Sequence, residues 1–144
     1  MGFKISPSGT FNSMSDSNPI ETFSYLAKEL DRLALGYLHV FEPIVNLGAA
    51  PTEAAPAEAE RILLLLRQIF RHTLIANGGY DARSGDAAIA RGEADLVAFG
   101  VPFLANPDLP MRYRKNAPLN TPDPTTFYSG EEKGYIDYPA LAQP

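Results

Sequence analysis

The segment "VAFGVPFLANPDLP", Val97–Pro110, is the most informative about the fold because it joins a strand, a turn and a helix in one short stretch. Its apolar start predicts a buried strand, Gly100 predicts a turn, and the residues that follow predict the start of a helix. Glycine at such a turn lets the backbone approach an anion, which the first N–H groups of the helix can bind. The segment is therefore typical of a phosphate site, although Val101 stands where a cation would be the natural partner of an anion.

The same succession of strand and helix occurs three more times along the chain. Short apolar segments predict the strands, and apolar residues at helical spacing predict the helices between them. The predicted strands are Gly2–Ser6, Tyr37–Pro43, Thr73–Gly79 and Asp95–Gly100. The predicted helices are Ile20–Leu35, which Gly36 ends, Ala57–Arg71, Asp81–Ala94, which Gly85 weakens, and Asn106–Asn116. The tail from Ala117 is predicted to be a loop that carries several aromatic residues.

This order determines how the strands pair. Short apolar strands separated by helices pair in parallel with right-handed crossovers. Since eight such units close a barrel, four of them predict half of a barrel, which needs a partner. The alternative is a flavodoxin-like open sheet, whose phosphate loop follows the first strand. That loop, "SPSGTFNSMSD" (Ser6–Asp16), lacks the glycine spacing of a nucleotide fingerprint, so we rank the open sheet lower. We expect one domain over residues 1–144.

The composition argues against several classes of function. A net charge of −5 and a pI near 4.9 argue against nucleic acid or an anionic membrane as a partner. The basic turn Met111–Asn116 is interpreted as a solvated helix face. Cysteine is absent, and His39 and His72 lack ligand spacing, so we predict no metal site. Because no apolar run approaches the roughly 20 residues that span a bilayer, and no signal-peptide pattern is visible, we expect a cytoplasmic protein.

Two glycine turns follow neighbouring predicted strands, where α/β proteins bind ligands. They are "NGGY" (Asn77–Tyr80) and "FGVP" (Phe99–Pro102), and as a pair they favour an anion site. Lys4 lies within an apolar strand, where a cation points to a ligand, pairs with a carboxylate such as Glu42, or reaches out to solvent.

Three further residues stay ambiguous on their chemistry alone. His39 alternates with apolar neighbours and is interpreted as a structural histidine whose hydrogen bonds are satisfied. Phe127 and Tyr128 are interpreted either as core residues or as contacts for a planar ligand.

Two long strings near the end of the chain closely resemble one protein family. They are "LVAFGVPFLANPDLPMR" (Leu96–Arg112) and "APLNTPDPTTFYSGEEKGYIDYP" (Ala117–Pro139). Both are similar to the C-terminal part of the old yellow enzymes, the FMN-dependent NAD(P)H:ene reductases. "GFKISPSGTFNSMSD", "YLHVFEP" and "LIANGGYD" resemble that family's fifth, sixth and seventh strands. The resemblance therefore implies an α/β fold with half of a TIM (β/α)8 barrel, namely strands five to eight and the C-terminal tail.

The resemblance also implies which residues meet the flavin and the substrate. Lys4 stands where the family has an arginine facing the N1/O2 edge of the flavin. Val101 and Ile44 stand where the family has further arginines, the first of them in a Gly-Arg pair. The implied cofactor-binding residues are Lys4, Asn77, Gly78, Gly79, Gly100, Val101 and Phe127, and the implied substrate-binding residues are Phe11 and Tyr128.

These matches lead to two expectations about function. The resemblance implies FMN as the cofactor, NAD(P)H as the reductant and an enone as the substrate. The family's substrate-anion pair and its proton-donating tyrosine have no counterpart here, so no catalytic residue is assigned. We expect the flavin-phosphate half of an ene reductase, which assembles as a homodimer or with a separately encoded N-terminal half. The alternative is a truncated or degenerate half-barrel without turnover, which at most binds phosphate or flavin or forms a structural homo-oligomer.

Overall fold

A computed structural model describes residues 1–10, 13–42, 59–129 and 131–142, with only the backbone described for residues 59–61. The chain divides into two compact units, Met1–Ala98 and Phe99–Pro144. The first unit contains β1 (Gly2–Ile5), α1 (Pro19–Arg32), β2 (Tyr37–Phe41), α2 (Ala59–Ile69), β3 (Thr73–Asn77), α3 (Ala82–Ala90) and β4 (Leu96–Ala98). The second contains α4 (Val101–Ala105), α5 (Leu109–Lys115) and a 3-10 turn at Pro124–Thr126. The single domain expected over residues 1–144 stays a prediction.

The four strands form one parallel sheet in the order β1-β2-β3-β4. The register pairs Lys4 with His39, His39 with Ile75, and Ile75 with Leu96. Sequential order is the order of a (β/α)8 barrel, whereas a flavodoxin-like sheet places its first two strands in reverse. The predicted parallel βα units are therefore confirmed, and the flavodoxin-like alternative is wrong.

The core of the first unit lies between the sheet and its helices. Because side chains alternate along a strand, Leu38 and Val40 of β2 face the same side as Leu74 and Ala76 of β3. All four are completely buried. They are covered by Ala27 and Leu30 of α1, by Leu66 of α2 and by Phe70, which directly follows α2. Burying one such large aliphatic or aromatic side chain contributes about 1.5–3 kcal/mol, so this layer holds the strands in place.

The first helix ends earlier than its apolar pattern predicts. It stops at Arg32, and Ala34 adopts a left-handed backbone with φ 49°. Gly36, the predicted end, lies beyond the helix, and its N–H donates to the carbonyl of Met1 at 2.8 Å. Gly36 therefore links the beginning of β2 to the beginning of β1.

The third helix forms despite Gly85 because its N-terminus is well capped. The Ser84 N–H donates to the Asp81 carboxylate at 2.7 Å, and the Asp81 N–H donates to the Ser84 hydroxyl at 2.9 Å. This reciprocal capping box offsets the conformational cost of a glycine inside a helix.

The fourth strand is shorter and more exposed than expected. It contains three residues, and the Leu96 side chain is 51% exposed. The prediction of a buried strand is therefore wrong at Leu96, which lies on the edge of the sheet. In the described ranges, every helix falls short of the length and apolar character that a membrane crossing requires.

Candidate functional site

The turn after β3 requires glycine. Gly78 and Gly79 have positive φ angles of 136° and 95°, which side chains other than hydrogen rarely tolerate. A Cβ atom on Gly78 would overlap the backbone carbonyl of Glu42. The Glu42 N–H in turn donates to the carbonyl of Asn77 at 2.8 Å. The end of β2 and the turn after β3 are thus in direct backbone contact.

The same turn offers hydrogen-bond donors. Among the residues that the structure describes, the N–H groups of Gly78 and Gly79 donate to no backbone carbonyl. They follow the carboxyl end of a parallel strand, where α/β sheets bind ligands. Successive backbone N–H groups at such a turn suit the oxygens of a phosphate.

Glu42 fixes the surroundings of this turn. Its side chain is buried, and one carboxylate oxygen accepts a hydrogen bond from the Leu63 N–H of α2 at 2.8 Å. Burial first, and the Glu42 carboxylate second, raise the pKa of the neighbouring Tyr80 phenol. The pairing of Glu42 with Lys4 that the sequence suggested stays a prediction.

Lys4 and His39 share the sheet face opposite the helices. They are in register on β1 and β2, and the neighbouring Val40 points into the core. Lys4 is exposed, and its Nζ lies 6.0 Å from the centroid of the Phe41 ring. Burial first, and the charge of Lys4 second, lower the pKa of His39.

His39 is not the satisfied structural histidine that the sequence suggested. Its Nε2 is buried and has no hydrogen-bond partner among the described residues. A buried polar atom without a partner costs free energy, which a ligand atom at that position would recover. Neutral His39 and cationic Lys4 thus form a polar pair on the sheet face that also carries Asn77.

In the second unit, the turn at Gly100 differs from the turn at Gly78. Gly100 has φ −89°, which any residue adopts, and a Cβ atom there would meet nothing within 4 Å. Its carbonyl accepts from the N–H groups of Phe103 and Leu104, both at 3.0 Å. Val101 begins α4 with its side chain 40% exposed. This turn therefore offers backbone groups to a ligand with no cationic side chain at position 101, and its conformation does not require glycine at position 100.

The aromatic pair lies just after the 3-10 turn of the tail. Phe127 is half-buried, and its carbonyl accepts a hydrogen bond from the Tyr135 hydroxyl at 2.8 Å. Tyr128 is 88% exposed, so the interpretation as a core residue is wrong for it. Of the other residues singled out, Phe11 and Ile44 lie outside the described residues.

Sequence reasoning missed the most connected polar side chain of the second unit, Arg112. The basic turn containing it is only partly a solvated helix face, because Arg112 is 4% exposed whereas Arg114 and Lys115 are exposed. Arg112 donates to the carboxylate of Asp108 at 2.6 Å. A carboxylate four residues before an arginine on a predicted helix was the available signal.

The comparisons with known proteins agree with one another. Residues 1–120 match the model of the NADH:flavin oxidoreductase / NADH oxidase family. A 12-oxophytodienoate reductase-like protein of Solanum lycopersicum is 44% identical over 98% of this chain. The solved structure of morphinone reductase is 45% identical over 97% of this chain, with a TM-score of 0.82. The old yellow enzyme from Trypanosoma cruzi is 35% identical over 98% of this chain, with a TM-score of 0.81.

The matches cover nearly all of this chain but a minority of each relative. The chain spans 36% of the Solanum lycopersicum protein, 36% of morphinone reductase and 35% of the Trypanosoma cruzi enzyme. At these identities the shared backbone shows that the parallel sheet has the fold of part of the TIM barrel of these enzymes. The chain belongs to the NADH:flavin oxidoreductase / NADH oxidase family, the family of the old yellow enzymes.

Proposed function

We propose that this chain supplies the flavin-holding half of an FMN-dependent ene reductase. The observation that carries the proposal is the glycine-only turn at Gly78 and Gly79, with its two N–H groups at the carboxyl end of β3. When bound, FMN would supply hydride transfer from NAD(P)H to the alkene carbon of an enone. A morphinone reductase structure in complex with tetrahydroNAD supports a nicotinamide as the reductant.

The turn after β3 fits the phosphate of FMN. A dianionic phosphate accepts charge-assisted hydrogen bonds from backbone N–H groups, each contributing about 1.5–3 kcal/mol. Gly78 and Gly79 bring these donors close to the ligand because neither carries a side chain. The side-chain amide of Asn77, the last residue of β3, would add a further donor.

Lys4 and His39 fit the polar edge of the flavin ring. Lys4 carries the positive charge that stabilises negative charge at the N1/O2 edge of the ring. Unlike the arginine of the family pattern, a lysine does so as a point charge without a planar fork. His39, whose Nε2 lacks a partner among the described residues, would provide a neutral hydrogen-bonding atom beside it.

The remaining contacts are proposed from the family resemblance. Gly100 and Val101 would approach the phosphate with backbone alone. Phe127 would contact the flavin ring, and Tyr128 and Phe11 would contact the enone. No side chain of this chain is assigned as the proton donor to the substrate. A second copy of the chain would not add one, so the donor would come from a separately encoded half, among the strands that complete the barrel.

A partner would supply those strands. The edges of β1 and β4 pair with no further strand in the part of the chain that the structure describes. A closed barrel needs eight strands. We propose a second copy of this chain, or a separately encoded N-terminal half, as the partner.

A second candidate function is flavin or phosphate binding without turnover. It is favoured by the changes at three positions where the family pattern has arginine: Lys4, Ile44 and Val101. Oxidation of NADPH in the presence of an enone by the purified chain would rule it out. Bound FMN without NADPH oxidation, even when a separate N-terminal half of a family member is added, would favour it over the ene reductase.

The test compares FMN binding by the wild type and by Gly78→Ala. The added methyl group would overlap the Glu42 carbonyl and displace the turn, so we expect FMN affinity to fall at least about tenfold, as loss of one charge-assisted hydrogen bond implies. Quenching of flavin fluorescence measures the affinity, and circular dichroism checks that the variant folds.

Gly92→Ala is the matched control. Gly92 also has a positive φ, 70°, but a Cβ atom there meets nothing within 4 Å. The control should therefore bear similar backbone strain and bind FMN like the wild type. Equal FMN affinity of a folded Gly78→Ala variant and the wild type would contradict the proposed phosphate turn.

A further inference from the structure

Arg112 is a buried cation whose guanidinium donates in three directions. Its side chain is 4% exposed. Nε donates to the Asp108 carboxylate at 2.6 Å, Nη1 to the Pro118 carbonyl at 2.6 Å, and Nη2 to the Pro139 carbonyl at 2.7 Å. A buried charge is tolerated when it is paired and hydrogen-bonded in this way. One side chain of α5 thus holds two points of the tail that are far apart in sequence.

The neighbouring side chains hold the same two points. The second carboxylate oxygen of Asp108 accepts from the Leu141 N–H at 2.8 Å. The Asn120 N–H donates to the Asn106 side-chain oxygen at 2.7 Å, and the Asn120 amide donates to the carbonyls of Ala105 and Pro139, both at 2.8 Å. We call Asn106, Asp108, Arg112 and Asn120 the tail clamp. It fastens both ends of the tail to the segment containing α4 and α5.

The loop between the clamped ends, described at residues 121–129 and 131–138, is tied within itself. The Asp123 N–H donates to the Tyr138 hydroxyl at 2.8 Å, and the Tyr135 hydroxyl donates to the Phe127 carbonyl at 2.8 Å. Gly134 has φ 77° and lies so close to Thr126 that a Cβ atom would overlap its hydroxyl. A loop tied inside and fastened at both ends presents its exposed residues in a fixed place.

We propose that Arg112 is a positioning residue, which through the tail clamp fixes the place of Phe127 for contact with the flavin ring and of Tyr128 for contact with the enone. Arg112 itself does not touch that ring. The choice of ligand rests on the proposed function, whereas the fastening of the loop rests on the contacts within the second unit. Lysine could not replace Arg112, because one ammonium cannot reach three acceptors arranged around a planar fork.

The first experiment measures amide hydrogen exchange in the full chain. Arg112→Lys should raise the exchange of the Asn120 and Leu141 amides about tenfold, as loss of one or two hydrogen bonds implies. Arg114→Lys is the matched control, because Arg114 lies on the same helix and is exposed. This control should leave the exchange rates of the Asn120 and Leu141 amides unchanged. Neither variant should change the exchange rates of the amides of β2 and β3.

A second variant guards against misfolding of Arg112→Lys. Asn120→Ala removes contacts at both ends of the loop without leaving a buried charge unpaired, and should raise the exchange of the Leu141 amide in the same direction. Unchanged exchange in both variants would overturn the clamp. A uniform rise over the whole chain would overturn it too, because the role of Arg112 would then be general stability.

The second experiment separates ring contact from phosphate contact. Arg112→Lys should lower the affinities for FMN and for riboflavin by the same factor, about three- to tenfold for a displaced aromatic contact. Gly78→Ala should lower only the affinity for FMN. If Arg112→Lys raised the exchange of the Asn120 and Leu141 amides but left the affinity for both flavins unchanged, the positioning role would be overturned. If the wild type bound neither flavin, the proposed function and the positioning role would both fall, and the exchange data would still decide whether the clamp exists.

Discussion

Gly78 and Gly100 follow consecutive strands, but their backbones make different demands. Gly78 has a positive φ and lies against a carbonyl, whereas Gly100 has an ordinary φ and open space around it. In the sequence both are glycines after an apolar strand, so their difference could not be predicted from residue type. The structure assigns the strict requirement for glycine to Gly78. The family resemblance, in which an arginine stands at position 101, makes that position the place where the proposed site can be improved.

Val101→Arg should therefore strengthen FMN binding. The side chain at this position is 40% exposed, so an arginine can be accommodated without entering the core. A new charge-assisted contact to the phosphate would raise FMN affinity roughly ten- to hundredfold. Fluorescence titration with FMN and with riboflavin measures the effect, which should be confined to FMN.

Ala90→Arg provides the control for charge alone. Ala90 is exposed in the last turn of α3, where a cation is compatible with the helix dipole. It should leave the affinity for FMN unchanged. An equal gain in both variants would show that net charge, and not a contact at position 101, governs binding.

At the scale of elements, α1 is tied to the beginning of β3 by a buried carboxylate. Asp31 accepts hydrogen bonds from the Arg71 backbone N–H at 2.8 Å, from its Nε at 3.0 Å and from its Nη2 at 2.7 Å, and His72 Nε2 lies 3.9 Å away. These donors, the Arg71 side chain foremost, lower the pKa of Asp31 below its usual 3.8. The lowered pKa makes the first unit sensitive to acid.

The sign of this effect follows from proton linkage. A carboxyl whose pKa is lower in the folded than in the unfolded state stabilises the fold above its ordinary pKa, and that stability is lost as pH falls through the folded-state value. We therefore expect Asp31→Asn to lower the free energy of unfolding at pH 7 and to flatten its decline from about pH 4 downward. Urea denaturation at several pH values measures both.

Asp86→Asn is the control for this prediction. Asp86 is exposed on α3. In Asp86→Asn the free energy of unfolding should therefore fall with decreasing pH as steeply as in the wild type. An equally steep decline in Asp31→Asn would mean that Asp31 does not contribute to acid sensitivity.

The order of elements could be predicted from the sequence, because strands, helices and glycine turns leave local signals. The apolar runs at Tyr37–Phe41 and Thr73–Asn77 are examples. Contacts across the chain leave no such signal. Arg112 looked like part of a solvated basic turn, because its acceptors at Pro118 and Pro139 cannot be read from neighbouring letters. His39 looked satisfied for the same reason.

In the molecule as a whole, the two sheet edges that are unpaired among the described residues call for additional strands. Leu96 on β4 is 51% exposed, and Phe3 on β1 is 44% exposed. Exposed apolar edge strands are surfaces on which further strands pair. If a second copy is the partner, light scattering coupled to size-exclusion chromatography should show a dimer.

Leu96→Lys should shift that dimer toward monomer, because a charge on an edge strand opposes pairing. Leu33→Lys is the matched control, since Leu33 is 69% exposed and lies beyond the end of α1, outside the sheet. A wild-type chain that stays monomeric at high concentration would contradict the second copy and leave the separately encoded half as the proposed partner.

The central claim is that this half of the family fold holds FMN by its phosphate. Isothermal titration of the wild-type chain with FMN and, in parallel, with riboflavin tests it most directly, because the two ligands differ only in the phosphate. We expect FMN to bind at least about tenfold more tightly than riboflavin, as one retained charge-assisted hydrogen bond implies. Equal affinities for the two ligands, or no binding of FMN, would contradict it.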